Sequence, residues 1–207
     1  MTNSLHPEVL TPQTTHALEI IGTHGLAKGF YLSGGTALAL QLGHRESEDL
    51  DFFSPDPFDP EHLQTRLQQH GELKNTSLQE NTLNTYFHGI KLQYLGYPYP
   101  LLEPLLIWQG VAILSVLDIA CTKLITISMR GLKKDFIDLY FILKQYPLQY
   151  LLESLTKKYA AIQYNRPHIL KSLLYFADAE DQPMPRMFLD ASWETIKSHL
   201  TETIKGL

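Results

Sequence analysis

FYLSGGTALALQLGHRESEDLDFF, residues 30–53, packs two strands, a glycine turn and a helix into one short run. The apolar stretch Phe30–Leu32 reads as a buried strand, after which the chain turns on Gly34-Gly35 into an apolar helix over Thr36–Leu42. Gly43 stops that helix, because glycine adopts the left-handed conformation of a helix end without steric cost. A second strand follows, carrying Asp49 and Asp51 with Leu50 between them. Residues two apart on a strand share a face, and two carboxylates held side by side repel unless a cation sits between them. This spacing therefore asks for a divalent metal. A glycine turn at a helix start is an anion site, since free backbone N–H groups and the helix dipole point outward there. Gly34, Gly35 and Thr36 as a phosphate cradle, beside Asp49 and Asp51 as metal ligands, suggest a nucleotide held through magnesium. The plainer readings are a tight turn that needs glycine and a solvated or ion-paired strand edge. Against the second stands the apolar setting of Leu50, Phe52 and Phe53, where unpartnered charge is costly to bury.

A chain of 207 residues suffices for one domain, or for a domain with an appended helical part. A net charge of −5 excludes a protein that coats nucleic acid by electrostatics alone, while leaving room for a local basic patch. The single cysteine, Cys121, excludes an intramolecular disulfide and a cysteine-rich zinc site, and its apolar helical setting makes it a core residue. MTNSLHPEVL shows no leader pattern. The apolar region Pro100–Val116 is broken by Glu103, Pro104 and Gln109, too often to span a bilayer. A cytoplasmic protein without membrane contact is the expectation. The histidines form no H-x-x-x-H or H-E-x-x-H pattern, and neither a G-x-S-x-G elbow nor a G-K-[ST] phosphate loop occurs.

On the N-terminal side, Thr11-Pro12 predicts a helix start, with Ala17, Leu18, Ile20 and Ile21 as its apolar side and Gly25 as its stop. Beyond the central stretch, Asp59-Pro60 starts another helix, with Leu63 and Leu67 buried and Gly71 closing it. From Glu72 to Tyr97 the pattern is strands, with a hairpin turning at His88-Gly89. YPYPLLEP is an extended connection. After about Val111 the chain reads as helical throughout. Ser115 and Asp118 form a capping box, and a first helix runs to Gly131. A second buries Phe136, Leu139, Tyr140 and Leu143 before Pro147, and further helices are expected near 148–163, 166–176 and 190–204. The predicted class is α+β: a mixed α/β part over residues 1–110, then a helical part over 111–207 packed on the site.

The helical half supplies a second charged cluster of Asp118, Lys123, Arg130, Lys133, Lys134, Asp135 and Asp138. A lysine in the middle of an amphipathic helix needs a reason, and contact with a substrate phosphate is one for Lys123. Arg130 with Asp135 reads as a salt-bridged helix junction. Arg45 and Ser47 lie just before the carboxylates, within reach of a triphosphate, although Arg45 has the alternative of balancing local acidic charge. Asp178, Glu180 and Asp181 read as a solvated loop.

LSGGTALALQLGHRESEDLDFF followed by SVLDIACTKLITISMRGLKKDFIDLYFIL resembles the nucleotidyltransferase toxins of the AbiEii type, in the minimal branch of the DNA polymerase β-like superfamily. The resemblance covers roughly residues 10–200, including LLYFADAEDQPMP. It implies a nucleotidyltransferase-like mixed sheet with flanking helices and a nucleotide and metal site at Gly34, Gly35, Asp49 and Asp51. Its helical signature falls on Lys123, Arg130, Lys134, Asp135 and Asp138. Implied with it are Asp49, Asp51 and Lys123 as catalytic residues, with Asp49 and Asp51 holding Mg2+ or Mn2+. Gly34, Gly35, Thr36, Arg45, Ser47, Lys123 and Arg130 would bind nucleotide, supported by Asp135 and Asp138. The implied activity moves a nucleoside monophosphate from an NTP to an RNA 3′ end or a protein hydroxyl, as the toxin of a toxin–antitoxin pair with an antitoxin partner. One departure stands out: the strand expected to bring a third carboxylate, IKLQYL at 90–95, has Lys91 and Gln93 and no acid. That departure keeps open a relative that binds nucleotide or a partner without turnover; a metal-dependent phosphohydrolase or small-molecule nucleotidyltransferase stays open as a third reading.

Overall fold

The computed structural model describes residues 5–207, so the leading segment read for a leader peptide lies partly outside the described residues. Thr11 accepts a hydrogen bond from the Thr14 N–H, and Pro12 follows at once to open α1 (Pro12–Thr23). β1 (Tyr31–Ser33) runs directly into α2 (Gly34–Leu42). Both glycines therefore belong to the first turn of the helix, ahead of the start expected at Thr36, because Gly34 makes the bend itself at a φ of +67°. Gly43, at +63°, ends α2 as expected.

β2 (Leu50–Ser54) begins one residue after Asp49, which precedes the strand it was expected to occupy. Asp59 caps α3 (Pro60–Gln68), accepting from the N–H groups of Glu61 and His62. β3 (Leu73–Gln79), β4 (Thr82–Phe87) and β5 (Ile90–Gly96) form an antiparallel unit. His88 and Gly89 carry positive φ values of 50° and 83° between β4 and β5, the signature of a type I′ hairpin turn.

The structure adds a second hairpin, β6 (Leu106–Trp108) and β7 (Val111–Ile113), that the sequence pattern does not display. Three-residue strands offer too little alternation to be legible. β7 joins the sheet by pairing in parallel with β1, leaving the strand order β3-β4-β5-β2-β1-β7-β6. A division at 110/111 cuts this hairpin, so we draw the boundary between the α/β and helical parts after Leu114. A single apolar core joins the two.

The helical part comprises α4 (Val116–Arg130), α5 (Lys133–Leu143), α6 (Leu148–Lys158), α7 (Arg166–Ser172) and α8 (Trp193–Lys205). α6 and α7 end earlier than the spacing predicts, at Lys158 and Ser172. The capping box of α4 is present, with Ser115 Oγ accepting from the Asp118 N–H and donating to its carboxylate. Asp118 does more than cap: its buried carboxylate takes Lys158 Nζ at 2.6 Å and the N–H groups of Leu102 and Glu103. It thereby fastens α6 and the proline-rich connection to the start of α4. Cys121 is buried, as its setting predicts. Among the described residues no helix is long and apolar enough to cross a membrane.

Candidate active site

β1 pairs antiparallel with β2, which sets Ser33 opposite Asp51. The first turn of α2 therefore emerges beside the Asp51 carboxylate. A Cβ at Gly34 would collide with Asp51 Oδ2, and a Cβ at Gly35 would come within 2.5 Å of Arg45 Nη2. Each glycine thus has its own reason: the first clears a carboxylate oxygen, and the second lets a buried guanidinium pass beneath the helix start. The first amides of a helix have no intrahelical partner, and Ser33 supplies no side-chain cap, so these N–H groups remain available to an anion.

Asp49 and Asp51 line one cleft of about 530 Å³, together with Gly34, Gly35 and Thr36 of α2 and residues of α4 and β5. Asp49 is 39% exposed, with Lys134 Nζ 3.6 Å from its Oδ2. Burial, and then the neighbouring charge of Asp49, raise the pKa of Asp51, against the opposing pull of Lys123, Lys91 and Lys134. The two carboxylates present the hard oxygen donors that magnesium or manganese takes, with phosphate oxygens completing the shell. The cleared space at Gly34 leaves Asp51 Oδ2 uncovered toward the turn. The residues fit such an ion.

Parallel pairing with β5 sets Gln93 level with Asp51. The position from which a neighbouring strand would add a third acid is thus held by an amide. Among the described residues no group of three metal-ligating side chains forms. Asp135 and Asp138 do not fill the gap, because both are buried in a separate ion network behind the cleft.

That network revises several expected roles. Asp138 accepts from Arg45 Nε at 2.7 Å and Nη2 at 2.9 Å, from His44 Nε2 at 2.8 Å and from Lys123 Nζ at 2.5 Å. Lys123 also reaches Asp135 Oδ1 at 2.7 Å, whose other oxygen takes Arg130 Nε at 3.2 Å. Arg45, expected at the triphosphate, is instead 3% exposed and paired with Asp138, the charge-balancing alternative. Burial works against the charge of Lys123, but Asp138 and Asp135 outweigh it and raise its pKa. Lys123 therefore borders the cleft as an ion-paired cation. Burial likewise works against the Asp138 carboxylate, yet Arg45 and Lys123 hold it well below the usual carboxylate range. Thr36 also changes role: its hydroxyl faces Ser47 Oγ at 2.9 Å and the Asp49 carbonyl oxygen. Thr36 and Ser47 thus brace the segment leading to the two acids.

Four lining or supporting residues lie outside the nucleotide site expected from sequence. Lys91 and Gln93, read there only as the place of a missing acid, stand two apart on β5 and face the cleft, a placement that strand alternation could have suggested. Lys134, noted only within its charged run and the helical signature, comes to the cleft beside Asp49. His44 carries no sequence signal, since its contact with Asp138 spans distant parts of the chain. Arg130 stays 54% exposed, and only its Nε is engaged among the described residues.

Residues 16–102 and 97–205 match the model of the family described as nucleotidyl transferase AbiEii toxin, type IV toxin–antitoxin system. An uncharacterized protein of Aquifex aeolicus is 35% identical over 206 residues, covering 95% of this chain and 96% of the relative. The fold is shared with a candidate nucleotidyltransferase from Helicobacter pylori, at a TM-score of 0.57 and 18% identity over 94% of both chains. It is also shared with the nucleotidyltransferase toxin MenT4 of Mycobacterium tuberculosis, at a TM-score of 0.57 and 17% identity over 95% of this chain and 86% of that one.

Proposed function

The chain belongs to the AbiEii family of nucleotidyltransferase toxins, and on that premise we propose that it transfers a nucleoside monophosphate from an NTP to an acceptor hydroxyl. One observation carries this reading: Gly34 opens the first turn of α2 directly onto Asp51, so an anion cradle and a carboxylate pair share one cleft. In the reaction the bond between the α- and β-phosphates breaks, a phosphoester forms to the acceptor oxygen, and pyrophosphate leaves while the hydroxyl proton is released. Asp49 and Asp51 would hold magnesium or manganese, whose chemistry when bound is to polarise the phosphate oxygens and offset their charge. The backbone N–H groups of Gly34, Gly35 and Thr36 bind the outer phosphates. Lys134, Lys91 and the free edge of Arg130 neutralise charge at the rim of the cleft, a role for cations in phosphoryl transfer. Lys123 and Arg45, ion-paired with Asp138, brace the floor of the site and hold the glycine turn in place. The acceptor is an RNA 3′ end or a protein hydroxyl, and an antitoxin is the expected partner in a cytoplasmic setting.

A second reading, nucleotide binding without turnover, is favoured by one feature, the amide of Gln93 level with Asp51. Incubation with each α-labelled NTP, magnesium and total cellular RNA separates the two. The proposal expects label in an acceptor, lost in Asp51→Ala. Nucleotide binding with no label transferred from any NTP establishes the second reading in its place.

A further inference from the structure

The two acids and the polar residues of β5 stand in matched rows. Parallel pairing sets Leu50 level with Leu92 and Asp51 level with Gln93, and the same register carried back one residue sets Asp49 level with Lys91. In the sheet β2 lies between β1 and β5. The glycine turn that follows β1 therefore flanks the acids on one side, and Lys91 and Gln93 flank them on the other. Lys91 is exposed, and Asp49 has its ion pair with Lys134, which leaves the Lys91 ammonium without a carboxylate partner among the described residues. Its charge still reaches the site, where it pulls against the raised pKa of Asp51. Asp49 and Lys91 also border a second open space of about 560 Å³, lined further by Thr11, Gln13 and Tyr86. The ammonium thus stands on the ridge between two openings.

We propose that this site takes one divalent ion, and that Lys91 is a catalytic residue standing where a second ion would otherwise stabilise the attacking oxygen. A two-ion site clamps both the attacking and the leaving oxygens of an in-line displacement, and each ion needs anionic donors. Asp49 and Asp51 supply donors for one. The neighbouring position on β5 holds the Gln93 amide, whose neutral oxygen offsets none of a second ion's charge. The glycine turn holds the outer phosphates on the β1 side, so pyrophosphate leaves that way. Attacking and leaving oxygens lie roughly in line, which brings the acceptor hydroxyl in from the β5 side, past Lys91. Its oxygen bonds the α-phosphorus, the bond from that phosphorus to the bridging oxygen breaks, and the hydroxyl proton passes to water through the second open space. The ammonium keeps its own protons and offsets the negative charge that gathers on the attacking oxygen. The step rests on the nucleotidyl-transfer reading; the ion count does not.

The test is Mn2+ electron paramagnetic resonance on the full-length protein with a non-hydrolysable NTP analogue, run beside turnover of an α-labelled NTP. Two Mn2+ ions about 4 Å apart, the spacing of a two-metal site, couple magnetically, whereas a single ion gives an uncoupled spectrum. The wild type should give the uncoupled spectrum. Lys91→Ala combined with Gln93→Asp, which removes the ammonium and adds an acid, should give the coupled one. Lys91→Ala alone should keep the single ion and bind the analogue as before, while turnover falls by about a hundredfold. The double variant should regain turnover, with its Mn2+ dependence changed from first to second order. A coupled pair in the wild type, no second ion in the double variant, or undiminished turnover in Lys91→Ala overturns the proposal. Label transferred from no NTP by the wild type counts instead against the nucleotidyl-transfer reading, and the spectra still decide whether Lys91 holds an ion's place.

Discussion

Replacing Asp138 by asparagine is the sharpest probe of the ion network behind the cleft. The wild-type carboxylate is fully buried and accepts from four donors, at 2.5 to 2.9 Å. Arg45 and Lys123 on one side and Asp135 and Asp138 on the other balance in charge. The Asp138→Asn amide would leave one positive charge uncompensated in a space where Arg45 is 3% and Lys123 5% exposed. Breaking a buried pair from one side costs about 3–5 kcal/mol, a large share of the roughly 5–15 kcal/mol that holds a domain together. At about 2–4 °C per kcal/mol for a chain of this size, Tm should fall by about 6–20 °C, with a matching drop in the urea midpoint at constant m. A second effect should follow, because Arg45 braces the glycine turn from below: nucleotide affinity should weaken even in the folded fraction. The double variant Arg45→Met with Asp138→Leu should recover much of the stability, since an apolar pair of similar bulk avoids the desolvation cost. A loss below about 1 kcal/mol in Asp138→Asn would refute the reasoning, because the network would then be tolerating an unbalanced buried charge.

Other perturbations read separate parts of the structure. Gly34→Ala combines a positive φ with a collision at Asp51, whereas Gly25→Ala has the positive φ alone and open space; each should lose about 1–2 kcal/mol to backbone strain, but only the first should abolish nucleotide binding in a calorimetric titration. Burial holds the pKa of His44 below its ordinary 6.5, so below that pH the unfolded chain takes up a proton that the folded chain refuses, and stability is lost as pH falls. Asp138, its pKa depressed, adds a further loss below about 3.8. Urea midpoints between pH 8 and 5 should therefore decline toward acid, and His44→Gln should flatten the limb near pH 6. Burial pushes the Cys121 thiol up to about 12, so a disulfide reagent at pH 8 should label it only after denaturant is added; rapid labelling of the native protein would contradict its place in the core.

Some of this was written in local sequence and some was not. The glycine turn, the carboxylate pair and the helix caps at Thr11, Asp59 and Ser115 depend on residues a few positions apart, where backbone geometry and capping chemistry act without help from the rest of the chain. The hairpin at His88-Gly89 is legible for the same reason. The β6–β7 hairpin was illegible because its strands are short and β7 is held by β1, far away in sequence. The partners of charged side chains were equally out of reach. Lys123 and Arg45 could as well have faced a phosphate, and only packing α2, α4 and α5 together delivered both to Asp138 and left Lys134, Lys91 and Arg130 at the mouth of the cleft. In the same way, the sequence showed that no acid stands on the strand at 90–95, but only the register of β5 against β2 set Gln93 beside Asp51. Chemistry that depends on nearest neighbours along the chain is determined by the sequence alone; which buried charge finds which partner is decided by tertiary packing, because a desolvated ion must be matched by whatever the fold brings within a few ångströms.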